Sequence, residues 1–470
     1  MKIKRILSAA LAFALSASIM TVLPAAALTA GNEGELTDGT FTYELNENNE
    51  YTIVDVDTQS VFTKVPGVVN GYSVVAIGDQ AFADCTFLTE LTLPGSIRSI
   101  GDYAFSCCSG LRKVTINSKI TELGEGVFSS CVNLTEIELP DTLESVGNAA
   151  FYDCEALETM SLPTSVTSIG EYAFQKCYSL REVNIPPKVS NLPDSALIEC
   201  PSIESFSVGN NPNFTVKDDM LLNGDGTKLL RAAPAKISGS VYIGSNVEEI
   251  SAGAFEYCTG ITNLFLTSSV KTIGDSAFYF CTSLTSVDFA EGLTDINAAA
   301  FQNCEKLVSV SLPTTLVNIG DGAFYNCTSL ERAIMCEGVR NIGKYAFFGC
   351  TSLKKIIIPK SVEALGDYSL GYIANNGEAE KLDGFSMSVY SDSAAGKYAK
   401  KSGLEFTVVD KSIAGMAFII IGAGVVLAAA VIAVVLMKRG GKGSSAAAKK
   451  LEEAEEEKNY KSILSDSDNE

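Results

Sequence analysis

Apolar residues recur along this chain in a fixed order: Leu-x-x-Leu-x-Leu, then Ile-x-x-Ile-Gly, then Ala-Phe-x-x-Cys. Phenylalanine marks the period. Phe82, Phe105, Phe128, Phe151 and Phe174 follow one another at intervals of 23 residues, as do Phe255, Phe278, Phe301, Phe324 and Phe347. A cysteine stands three positions after each, and Leu197 and Leu370 continue the two series with Leu in place of Phe. Within one unit, Leu91-Thr-Leu93 alternates apolar and polar like a half-buried strand, and Pro94 ends it by withdrawing a donor. Ile97 and Ile100 then return to the core, Gly101 turns the chain, and Ala104, Phe105 and Cys108 close the coil. A period kept this strictly denotes one supersecondary unit copied and stacked.

The array is interrupted once, between Leu197 and Phe255, where one period is followed by 35 extra residues. Asp225-Gly226 between two apolar runs predicts a β-hairpin there. This island is expected either to contact a ligand or to serve as a structural module that bends the solenoid. The whole chain then divides into a signal peptide (1–27), an N-terminal lead-in (28–80), repeats (81–208), the hairpin island (209–236), further repeats (237–375), a C-terminal cap (376–410), a transmembrane helix (413–437) and a tail (438–470).

The outer segments set the compartment. Lys2, Lys4 and Arg5 precede an apolar run that ends in Ala25-Ala26-Ala27, the layout of a cleaved secretory signal. The run from Ile413 to Met437 holds no charge over 25 residues, enough to span a bilayer. Lys438, Arg439 and Lys442 follow at once and place the C-terminus in the cytoplasm and the repeats outside. Between signal and span lie 48 acidic and 25 basic residues, a net charge of −23. Such a surface repels nucleic acid, whose binding rests on phosphate neutralisation by Lys and Arg.

The pattern Leu-x-x-Leu-x-Leu-Pro-x-x-Ile-x-x-Ile-Gly-x-x-Ala-Phe-x-x-Cys resembles the BspA-like class of bacterial leucine-rich repeats. Leu134 to Cys154, Leu157 to Cys177 and Leu307 to Cys327 are the cleanest copies. Residues 41–80 resemble that family's N-terminal lead-in, and residues 389–406 its terminal strand–helix–strand cap. The expected fold is a leucine-rich-repeat solenoid, a right-handed coil of α/β type presenting one curved parallel β-sheet, followed by the single transmembrane helix. The resemblance implies a cell-surface protein that adheres to or binds host, matrix or other-cell proteins. The alternative is a carbohydrate-binding or scaffold protein that supports polysaccharide use.

Catalytic chemistry finds little footing. The chain has no histidine, which removes imidazole-dependent nucleophile pairs and zinc sites. Its acidic residues are scattered over repeating surface positions, without the crowded pair that glycoside hydrolysis needs. Neither enzyme activity nor a cofactor or metal is expected; Asn223 to Gly226 lacks the ligand spacing of a calcium loop. Eleven of the thirteen cysteines occupy the ladder position and are expected to be reduced, buried thiols. Cys107 and Cys336 stand off the ladder and are the expected reactive ones.

A ligand is expected to touch the strand residues that flank each buried central position. These are Glu90 and Thr92, Lys113 and Thr115, Glu136 and Glu138, Thr159 and Ser161, Glu182 and Asn184, and Ser205 and Ser207 in the first array. Asn263 and Phe265, Ser286 and Asp288, Ser309 and Ser311, Arg332 and Ile334, and Lys355 and Ile357 follow in the second. The first half is polar and mostly acidic. The last two pairs set a cation beside an isoleucine, as protein-binding hot spots do, although contact with the C-terminal cap or plain strand propensity is the favoured account of them. The expected partner is an extracellular protein or glycan, with the membrane engaged through 413–437.

Overall fold

The computed structural model describes residues 29–30 and 36–409. The expected signal peptide, transmembrane segment and tail lie outside them. Among the described residues no helix is long and apolar enough to cross a membrane.

Each coil contributes two strands rather than the single one its pattern predicts. The longer strands pair in parallel at a register of one period, as Glu90–Leu93 does with Lys113–Ile116 and then Glu136–Glu138. The shorter ones are two residues long and form a second parallel ladder, Glu122–Leu123 to Ser145–Val146 to Ser168–Ile169. The second ladder comes from the Ile-Gly segment, whose isoleucine points inward while its neighbour points out.

The expected α/β-type coil is not what forms, because no helix occurs within the described repeats. Turns link rung to rung instead, with Phe105 N donating to Val127 O at 2.9 Å and Phe128 N to Ala150 O at 2.9 Å. Two left-handed residues per coil explain this. Tyr103 and Cys107 have φ of 56° and 57°, and Ala149 and Asp153 have 51° and 61°. A left-handed residue every fourth position cannot continue a right-handed helix. The one described helix, Ala394–Ser402, belongs to the C-terminal cap, where Ser393 caps its first turn and Gly403 its last.

Stacking imposes close approach on every rung. The Phe rings form two ladders, with Phe105 and Phe128 centroids 5.4 Å apart at 9° and Phe278 and Phe301 5.0 Å apart at 3°. Every ladder thiol after the first of its array donates to the carbonyl of the preceding coil's Phe, as Cys131 Sγ does to Phe105 O at 3.2 Å. Glycine follows most of the short strands for a different reason, although Ser251 and Asn297 stand there in two coils. A Cβ on Gly147 would sit 2.5 Å from Gly124 O and 2.7 Å from Leu123 O, backbone that cannot move aside. The next residue caps the following rung: Asp102 Oδ1 accepts from Glu125 N at 2.8 Å, and Asp321 Oδ1 from Lys344 N at 2.7 Å.

The island is a structural module. Phe214–Lys217, Met220–Asn223 and Lys228–Ala232 form an antiparallel sheet, and the last of them pairs in parallel with Glu249–Ile250 to start the second short-strand ladder. Leu221, Leu230 and Ala233 belong to the core of the first array. Met220, Leu222, Leu229 and Ala232 belong to the core of the second. Adjacent residues buried on opposite faces mark a strand covered on both sides. The island is thus a septum between two hydrophobic cores, and its apolar strand residues other than Val216 are buried away from any ligand.

One buried ion pair fastens the junction. Arg231 and Glu256 are 3% and 8% exposed, and Nη1 lies 4.0 Å from Oε2. Arg231 also donates to Asp194 O at 2.9 Å on one side and to Gly253 O on the other. Glu256 in turn accepts from Glu199 N at 3.0 Å. Burial pushes the Glu256 carboxyl above its ordinary pKa and the Arg231 guanidinium below its own, while each group's charge opposes the other's shift.

The C-terminal cap has the expected strand–helix–strand order, with strands Ser386–Val389 and Glu405–Val408. It is preceded by a hairpin, Tyr372–Asn375 with Glu378–Lys381, so the boundary expected at 375/376 falls inside a turn. One rung of the Phe ladder is also missing: beside Leu197 lies a cavity of about 20 Å³ lined by Leu162, Phe174, Val183 and Leu192.

Gly147→Ala is expected to destabilise the protein by about 1–3 kcal/mol, as overpacking does, read from thermal unfolding. Arg231→Met leaves a buried carboxylate without its counter-ion, at a cost of about 3–5 kcal/mol. With a folded pKa above the unfolded one, Glu256 is protonated more readily in the native state. Stability therefore falls as pH rises from the unfolded pKa to the folded one. Arg231→Met should widen that window, so acidification toward the carboxylate range recovers stability in the variant more than in the parent. Equal pH profiles in chemical denaturation would contradict this assignment.

Candidate ligand-binding face

The strand residues selected from the sequence do alternate with buried ones. Leu91, Val114, Leu264, Val310 and Ile356 are buried, while their flanking neighbours are exposed or half-buried. Parallel register aligns them in rows: Glu90, Lys113 and Glu136 in one, Thr92, Thr115 and Glu138 in the next. Thr159, Glu182 and Ser205, with Asn184 and Ser207 beside them, form a second block. Asn263, Ser286, Ser309 and Arg332 form the longest row, flanked by Phe265 and Asp288 and by Ser311 and Ile334.

The rows do not make one continuous face. Strand pairing breaks between Glu138 and Thr159, between Ser207 and Gly239, and between Ile334 and Lys355. The second break is where the septum enters. The predicted residues therefore fall into four blocks, and only the third brings aromatic, acidic and cationic groups together.

Charge differs between blocks. In the first, Lys113 is neutralised by Glu136 at 2.6 Å and Glu138 at 3.5 Å, which leaves the block acidic. The Lys113 ammonium pKa is raised, first by its hydrogen bond to Glu136. In the third and fourth, Arg332 and Lys355 are exposed and have no ion pair among the described residues. Ile334 is half-buried and Ile357 is 39% exposed. Lys355–Ile357 pairs edge to edge with the cap strand Ser386–Val389, so the cap continues the fourth block's own sheet and leaves its face open.

Sequence reasoning missed Ser240 and Tyr242. They precede Asn263 and Phe265 by one period and pair with them in register. Tyr242 stacks on Phe265 with centroids 4.6 Å apart and planes at 7°. The signal lay in Val241-Tyr-Ile243, which restarts the strand pattern right after the island.

The thiols are all unbridged. Desolvation pushes the Cys200 and Cys350 thiols up to about 12. Cys336 is buried, contrary to the expectation of reactivity. Cys107 is exposed in a left-handed turn, and desolvation also raises its pKa, ahead of the nearby Asp84 and Asp153 charges. Slow reaction of one thiol in the native protein and of all thirteen after unfolding is the expected outcome of a thiol-reagent titration.

Residues 67–145 and 248–375 match the BspA type Leucine rich repeat region, in six copies. No curated protein matches the chain. Among solved structures, a leucine rich cell surface protein from Faecalibacterium prausnitzii A2-165 is 28% identical, with a TM-score of 0.60 over 68% of this chain and 93% of its own. The Pneumococcal vaccine antigen PcpA is 19% identical, with a TM-score of 0.64 over 83% and 100%. A leucine-rich repeat protein from Eubacterium ventriosum is 20% identical, with a TM-score of 0.50 over 71% and 91%. The last two bear on the fold alone.

Proposed function

We propose that this chain, a bacterial protein built from BspA-type leucine-rich repeats, is a non-catalytic surface protein that binds a partner protein through Arg332 and Lys355 at the C-terminal end of its strand face. A single span over 413–437 would hold the repeats outside the cell and the C-terminus in the cytoplasm. The similarity to a leucine rich cell surface protein supports that placement.

One observation carries the reading. Of the three cations on the strand rows, Lys113 is paired, whereas Arg332 and Lys355 stand free among the described residues beside Ile334 and the exposed Ile357. Cations left unpaired on a protein of such negative charge suit a partner with an acidic surface and an apolar knob. Arg and apolar anchors supply the largest share of binding energy in such interfaces. Nothing on the face resembles a nucleophile or an acid–base pair, so adhesion or recognition accounts for it better than turnover.

Replacing both Arg332 and Lys355 with Glu should abolish binding to matrix or cell-surface proteins captured by the intact protein, as a loss of at least about tenfold, or 1.4 kcal/mol. Solution binding with unfolding curves as the control makes the test. Undiminished binding by a folded double variant would sink the proposal. External protease should also clip the repeats on intact cells while sparing an epitope in the tail.

A further inference from the structure

Two blocks on from the first acidic rows, the face changes character. Tyr242 lies on strand Gly239–Tyr242, which is the edge of its five-stranded sheet. Its ring is 39% exposed, and Phe265 stacks on one side of it only. Asp288 follows Phe265 in the same row. Its carboxylate has no hydrogen bond or ion pair among the described residues, and the residue is exposed. Its surroundings nevertheless desolvate the carboxylate enough to raise the pKa. Beside this row runs a second one of neutral groups. Asn263 Nδ2 donates to Ser286 Oγ at 2.7 Å, and Ser240 Oγ lies 3.5 Å from Asn263 Oδ1.

A sugar ring offers an apolar C–H face and a rim of hydroxyls. Aromatic faces carry negative charge that attracts C–H dipoles. Carboxylate, amide and hydroxyl groups between them accept from and donate to sugar hydroxyls. An ammonium or guanidinium would also suit an aromatic ring beside a carboxylate, but a cation uses acceptors alone and would leave the donors of this row idle. An acidic glycan would meet Asp288 and the negative charge of the ectodomain.

We infer that Tyr242 and Phe265, with Asn263, Ser286 and Asp288, form a subsite for a neutral oligosaccharide at the edge of the second array. The subsite shares its sheet with Arg332 but uses neither Arg332 nor Lys355. Tyr242 supplies the stacking surface, Phe265 holds its ring in place, and Asn263 and Asp288 bind hydroxyls. The septum opens the site, because its insertion interrupts the sheet and leaves the edge strand without a neighbour.

The test uses the full chain in phospholipid nanodiscs, which avoids sugar-headed detergents. Cellohexaose, maltohexaose and mannohexaose are titrated by calorimetry, with a hyaluronan hexasaccharide and hexalysine as competitors in class. Saturable binding of at least one neutral hexaose is expected. Tyr242→Ala and Asn263→Ala should each weaken it about tenfold, the equivalent of 1.4 kcal/mol. Tyr242→Phe, which keeps the stacking surface and the fold, should retain it, and so should the Arg332→Glu and Lys355→Glu double variant. Binding of hexalysine or the acidic hexasaccharide alone, binding of no probe, or neutral-hexaose affinity unchanged by both alanine variants would overturn the assignment.

Discussion

Every rung of this solenoid must accept a copy of itself about 5 Å away, the separation at which parallel strands hydrogen-bond. That single spacing governs the rest. Flat Phe rings satisfy it, because offset stacking places centroids at a comparable distance; Phe255 and Phe278 sit 4.9 Å apart. Glycine satisfies it after the short strand, where Gly343 lies so close to Asp321 N that a Cβ would be 2.5 Å away. Thiol does so at the coil's closing turn, reaching back to the preceding carbonyl. No coil buries its own apolar face, so these three residue types hold position only because the next copy is there.

The same constraint explains why the interruption is built as it is. Two arrays with independent cores meet at residues 214–232, and a sheet with both faces buried joins them without exposing either. Its cost is a buried charge. Replacing such a pair with apolar residues is often neutral or stabilising, so Arg231 and Glu256 are better understood as fixing how the arrays join. Arg231 reaches carbonyls on both sides of the junction, and Glu256 reaches back to an amide of the first array. A hydrophobic substitute would fill the volume but satisfy none of these groups.

The inward residues were legible because the period repeats them, and repetition is what a stacked core requires. Leu91, Phe105 and Cys108 could be placed by counting. The turn chemistry was less legible: Tyr103, Ala149 and Ser276 share a left-handed backbone position yet have nothing in common as side chains. Without a common residue type no pattern reveals the position, and the expected helical side of the coil gave way to turns. The second ladder escaped for a similar reason. Its strands are only two residues long, too short for alternation to register.

By itself the sequence determined that the chain is a stack of 23-residue coils with Phe and Cys inside, since a period that strict leaves no other way to bury those residues. It also determined which strand positions face outward, because side chains alternate across a strand. Only the tertiary structure decided which outward positions are neighbours. Parallel register brings Tyr242 onto Phe265 across a full period, and the septum splits the rows into blocks. Contact between residues 23 apart depends on where pairing breaks, and that is settled by how two cores pack against one inserted sheet.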